Sequence, residues 1–209
     1  MTRDTPEAGG ERPVERLTYF TDAVTAIALT LLALELPVPH GDTESQLWHS
    51  FGAEWADSYL PFLLSFVVIA AFWWAHHELY ARISYLGPGL ASINALFLLM
   101  IVMLPYATRV LSEVGRHQVA VVLYATVLGV LGFTMSAMGR LVLRRGWLRD
   151  PDTDAPRVRS SSIRMLGTGV VFLVSIPVAF WSPTAARYIW FVLILGSLFS
   201  GAATRRRRV

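Results

Sequence analysis

The stretch ERLTYFTDAVTAIALTLLALELPVP, residues 15–39, decides the fold. It sets a base, Arg16, and an acid, Asp22, at the mouth of an otherwise apolar run that ends at Pro37 and Pro39. A membrane-crossing helix needs about 20 mainly apolar residues, and proline removes the backbone donor that would continue it. An ionisable group inside such a run is costly against lipid, so it marks an internal, partnered site or an ion path. The stretch reads as the first span of an all-α membrane protein with a polar device built into it.

The remainder of the chain fits that class. Its 209 residues are 54% hydrophobic and only 16% charged, too apolar for an ordinary soluble domain. Six spans are predicted, over about residues 14–36, 55–77, 90–110, 118–143, 163–181 and 184–203, with Pro105 expected to bend or end the third. The chain divides into a disordered cytoplasmic tail (1–13), a six-span transmembrane domain (14–204) and a basic cytoplasmic tail (205–209). The first apolar run is longer than a secretory h-region and lacks a small-residue cleavage site, so no cleaved signal is expected.

Every cationic side chain among the 18 Lys and Arg positions is Arg, and the arginines are not evenly spread. The loop HGDTESQLWHSFGAE, residues 40–54, is acidic and has none, whereas residues 140–159 carry six and the run Arg205, Arg206, Arg207 and Arg208 follows the last span. Arg excess marks the cytoplasmic side, which places both termini inside a cell membrane. Arg109 and Arg116, around the third connection, are a mild exception. Because the clusters flank spans, they are read as membrane orientation and not as a nucleic-acid surface. The terminal run is expected to attract anionic lipid headgroups. The absence of cysteine excludes disulfides, zinc–thiolate sites and thiol catalysis. No Walker loop, HExxH or nucleophile elbow occurs, so neither an enzyme nor a cofactor is indicated.

Helical geometry then sorts the first span into faces. At about 100° per residue, Leu34, Leu31 and Thr30 fall within about 60° of Ile27, and Arg16 and Phe20 return to the same side. Asp22 lies about 140° away. One face is thus a stripe of branched apolar and hydroxyl groups, while the acid points back into its own subunit. Polar residues in later spans can meet it: His76 and His77 in FWWAHHELY, and Asn94 in SINALFLL. Such groups join helices across a bundle and fix their rotation.

These residues carry a resemblance. Arg16-x-x-x-Phe20-Thr21-Asp22, followed by AVTAIALTLLALEL, resembles the RxxxFSD first-helix signature of the transmembrane-protein-175 family of potassium channels. The likeness runs on through FWWAHHELY to the stretch from Asn94 to Pro105, with Thr21 standing where Ser is usual. The family is lysosomal in animals and lies in the plasma membrane of prokaryotes. What the resemblance implies is a six-span, single-repeat subunit of a homotetramer whose first helices line the pore. It also implies a constriction at Ile27, five positions after the acid, with Thr30 in the same narrow region. The family lacks a TVGYG filter loop, and so does this chain.

On this reading four Ile27 side chains form a dewetting ring, and Leu31 and Leu34 extend the apolar wall. Potassium sheds water more readily than sodium, so a dehydrating ring favours it, with Thr30 hydroxyls replacing some lost ligands. Potassium would be bound only transiently, and no resident metal is expected. Arg16 is expected to pair with an acid or with helix-end carbonyls. Glu35, near the outer end, would raise the local cation concentration. The alternative function is a proton-coupled secondary transporter that uses Asp22, His76 and His77 as a relay.

Overall fold

The computed structural model describes residues 11–187 and 189–190. Its long elements are α1 (Glu11–Leu34), α2 (Glu44–Ala53), α3 (Leu60–Tyr80), α4 (Pro88–Val114), α5 (Gln118–Arg145) and α6 (Pro151–Trp181), with a single π-helical turn, Trp55–Tyr59, leading into α3. Local chemistry sets these boundaries. Thr43 caps α2 by accepting from the Gln46 amide, while the Gln46 side chain reaches back to the cap. Gly146 ends α5 in the left-handed conformation, at φ 67°, that only a residue without Cβ adopts readily. Asp150 caps α6 by accepting from the Thr153 amide at 3.4 Å, and Pro151 follows at the first helical position.

Five helical segments are long and apolar enough to cross a membrane: Pro13–Leu34, Asp57–Tyr80, Gly89–Val114, Gln118–Arg145 and Pro151–Trp181. They correspond in order to the first five predicted spans. The predicted sixth span, 184–203, lies mostly outside the described residues, and the basic tail, 205–209, lies wholly outside them. The first helix begins at Glu11, inside the predicted disordered tail. Pro105 does not end α4, which continues to Val114. Burial against α1, α3 and α5 holds a proline-interrupted membrane helix together. The fifth span starts at Pro151, twelve residues before its apolar run, because a capped, acidic first turn extends the helix into water.

α4 is the hinge of the packing: it lies against α1, α3 and α5, and α5 in turn carries α6. The α5–α6 contact is the tightest. A Cβ at Gly132 would stand 2.7 Å from the Gly169 backbone nitrogen, so the two backbones touch because neither residue has a side chain. A buried hydroxyl node ties the other helices: Ser65 of α3 bonds Tyr124 of α5 at 2.9 Å and Thr108 of α4 at 2.7 Å. At the Arg-rich end, the α3–α4 and α5–α6 connections clip together through the Ile83–Leu148 bridge and a hydrogen bond that the Ser84 amide donates to the Trp147 carbonyl. Trp190 folds back, fully buried, and donates to Ser175 of α6 at 2.8 Å.

Candidate functional site

α1 has two unlike faces. Val14, Thr21, Thr25, Ala28 and Leu32 are buried, on the side that meets α3 and α4. On the other side, Phe20, Ile27, Thr30, Leu31 and Leu34 are exposed, Ile27 by 58% and Leu34 by 78%. The stripe expected from helical periodicity therefore exists as an unpartnered surface of the single chain. The Thr30 hydroxyl donates to the Ile27 carbonyl at 2.8 Å, which leaves its oxygen lone pairs free on that surface. Arg16 is exposed at the N-terminal end of the helix and has no ion pair among the described residues.

A buried polar network fixes the back face, and Asn94 is its centre. Its amide nitrogen donates to Thr21 Oγ1 at 3.0 Å, and its oxygen accepts from Tyr80 at 3.3 Å and lies 2.7 Å from His76 Nε2. An amide oxygen only accepts, so His76 carries its proton on Nε2. The imidazole is stacked between Tyr80 and Phe97, at centroid distances of 4.1 and 5.1 Å. Its Nδ1 is buried and has no partner among the described residues. One asparagine thus ties α1 to α3 and α4.

Asp22 takes a different partner from those expected. It is half-buried and accepts from the Trp73 indole at 2.8 Å. Among the described residues it makes no hydrogen bond to His76, His77 or Asn94. It is Thr21, beside it, that joins the Asn94 network. His77 is exposed and touches the Trp73 ring at 5.8 Å. Trp73 is the residue that sequence reading missed. The available signal was chemical: an indole N–H only donates, so a partly buried tryptophan in a span seeks an acceptor, and Asp22 is the acidic one at that level.

At the C-terminal end of α1, Glu35 pairs with Arg109 of α4 at 3.4 Å, and Arg109 also bonds Glu113 at 2.8 Å. Arg116 lies 3.9 Å from Asp57. The two arginines that break the charge pattern are thus matched by acids on the same end, and Glu35 is not a bare charge.

Comparison with known proteins gives a consistent result. A family model described as the endosomal/lysosomal potassium channel TMEM175 matches residues 16–105. A potassium channel of Streptomyces collinus is 33% identical over 171 residues, covering 80% of this chain and 82% of its own. A potassium channel of Chamaesiphon minutus is 36% identical over 124 residues, 57% of this chain and 61% of its own. The crystal structure of a lysosomal potassium-selective channel TMEM175 homologue from the same organism superposes with a TM-score of 0.76 at 27% identity. It covers 90% of this chain and 98% of that one.

Proposed function

This chain belongs to the TMEM175 family of potassium channels, and on that premise we propose that it conducts potassium through a pore built from the exposed face of α1. Four copies about a rotation axis bring four Ile27 side chains into one ring, with Thr30 beside them and Leu31 and Leu34 extending the wall. The ring dewets the conduit and strips part of the ion's hydration shell, which favours potassium over the more tightly hydrated sodium. Thr30 oxygens replace some of the lost water. Selectivity is modest, and the pore leaks whenever the ring is wet. Phe20 and Arg16 lie at the Arg-rich mouth. Thr21, Asp22, His76, Asn94 and Trp73 are structural: they hold the helix in rotation so that the same face always meets the axis.

The observation that carries this reading is the pairing of a hydrogen-bonded back face with an unpartnered front face on one helix. An isolated stripe of leucines could equally lie in lipid. A stripe that also carries Arg16 and the Thr30 hydroxyl suits a water-filled conduit better. The chain sits in the cell membrane with both termini cytoplasmic, because the Arg-rich ends of α3, α5 and α6 and the start of α1 share one side. The run Arg205 to Arg208 lies outside the described residues, and its contact with anionic headgroups is proposed from its charge alone. The relay reading is disfavoured, since Asp22 is bonded to an indole that carries no exchangeable charge and makes no hydrogen bond to either histidine among the described residues.

The test is a bilayer recording on the purified chain. Unitary currents that reverse near the potassium equilibrium potential are expected. A detergent-solubilised protein mass of four times 23.2 kDa is expected alongside them. Coupled flux without unitary events would overturn the channel reading, and a monomeric mass would overturn the shared axis.

A further inference from the structure

We propose that the cleft between the Arg-rich ends of α3, α5 and α6 binds the phosphate of an anionic phospholipid. α6 has 31 residues, about 46 Å at the helical rise, against an apolar layer of about 30 Å. Its first turns therefore stand outside the hydrocarbon, at headgroup level. Arg157 and Arg164 are seven residues apart, which returns them to one side within about 20°, and Ser160 and Ser161 lie between them. All four line a cleft of 530 Å³ whose opposite wall is Glu78 of α3 and Arg82 in the turn that follows it.

The charges in that cleft do not cancel. Arg82 is engaged by Asp154 at 3.2 Å and by Glu78 at 3.8 Å. Arg157 and Arg164 are exposed and have no ion pair among the described residues; Arg164 donates only to Ser160 Oγ, at 3.3 Å. Two guanidinium groups and two hydroxyls thus line one cleft, where the carboxylates of Glu78 and Asp154 are both engaged by Arg82. Guanidinium forks match phosphate oxygens in pairs, and hydroxyls complete such a cradle. The inner wall is different: Leu79, Met135 and Met165 are apolar and continue into the spans. A free phosphate would use the arginines and leave this wall unused. A phospholipid uses both, with its phosphate at the rim and the start of an acyl chain along the wall. The site is separate from the terminal arginine run. It rests on the membrane orientation proposed above, but not on conduction.

Native mass spectrometry of the delipidated full chain in detergent tests it, with phosphatidylglycerol, phosphatidylcholine and inorganic phosphate titrated separately. Phosphatidylglycerol is expected to bind more tightly than phosphatidylcholine, and millimolar inorganic phosphate is expected not to displace it. Each interfacial cation is worth about 1 kcal/mol, so R157Q/R164Q should weaken phosphatidylglycerol by about 25-fold. R157K/R164K, which keeps both charges but loses the paired forks, should bind more weakly than the parent and more tightly than R157Q/R164Q, and removal of residues 205–209 should leave the cleft's share intact. Both arginines are exposed, so these variants disturb no buried packing, and potassium current reports that they fold. Equal binding of the two lipids, full retention by R157Q/R164Q, or displacement by inorganic phosphate would each overturn the proposal. Loss of current in the unaltered chain, with lipid discrimination intact, would instead count against the channel reading alone.

Discussion

Replacing Asn94 by Leu removes the centre of the network while keeping its branching at Cγ; the two methyls are bulkier than the amide at this fully buried site, so a smaller overpacking cost adds to the polar one. Three buried groups lose their partner: Thr21 and His76, both fully buried, and Tyr80 at 2% exposure. They do not suffer equally. The Thr21 hydroxyl can turn to a backbone carbonyl of its own helix, and the Tyr80 hydroxyl keeps the Met138 sulfur at 3.7 Å. His76 has no such reserve, because its Nδ1 already lacks a partner and the variant strands Nε2 as well. A stranded buried group costs about 1–3 kcal/mol, whereas hydrogen bonds between membrane helices average about 0.6 kcal/mol. The histidine at about 3 kcal/mol, with the other two at about 0.6 kcal/mol each, gives a polar destabilisation of about 4 kcal/mol for N94L. Replacing both partners by apolar groups of similar shape removes the stranding, so H76F/N94L should recover about half of that loss. Reversible unfolding in mixed detergent micelles, followed by tryptophan fluorescence, measures both. A single variant within about 0.5 kcal/mol of the parent, or a double variant less stable than N94L, would refute the role given to this network.

Other substitutions probe the remaining parts. W73F deletes the donor to Asp22 at the half-buried α1–α3 contact; a loss of about 1 kcal/mol in the same assay is expected, with D22N, which keeps an acceptor oxygen, closer to the parent. G132L drives a side chain into the Gly169 backbone and should abolish folded protein on size-exclusion chromatography, whereas G167A, where a Cβ meets nothing within 4 Å, should behave as the parent. The hydrogen bond from Thr153 lowers the pKa of the Asp150 carboxyl relative to its ordinary value. Its capping contribution is therefore complete above the unfolded carboxylate range and is lost as pH falls through the lowered folded value. The protection factor of the Thr153 amide, its exchange rate taken relative to the intrinsic rate at each pH, should fall over that acid window, and D150N, which caps without titrating, should flatten the dependence.

Much of this arrangement was legible in residues 15–39 and in the Arg distribution. Periodicity alone separated the Ile27 side of α1 from the Asp22 side, and the exposure of Ile27, Leu31 and Leu34 follows that division. Long apolar runs located five helices to within a turn or so, except where polar sequence is helical for reasons other than burial. The first turns of α6 are held by the Asp150 cap and by their position outside the hydrocarbon, which a hydropathy reading does not register. The short helix α2 is hidden in the acidic loop for the same reason: it buries none of its residues and rests on its capping box. Partner choice was the least legible. Sequence brought Asp22, His76, His77 and Asn94 to one region, but a one-residue turn of α1 gives Thr21 to Asn94 and Asp22 to Trp73. That difference of about 100° is set by how α1 seats on α3 and α4, a tertiary fact with no local signature.

Thiol accessibility at the stripe is the most direct measurement of whether α1 lines the pore. The chain has no cysteine, so a single introduced thiol reports without background. In a potassium-filled bilayer, micromolar cadmium should block the I27C channel, where four thiols converge, and a chelator should restore the current. The parent and W74C, whose thiol replaces an exposed tryptophan of α3, should conduct unchanged. Cadmium-insensitive current through I27C, or equal block of W74C, would contradict a pore lined by the Ile27 face.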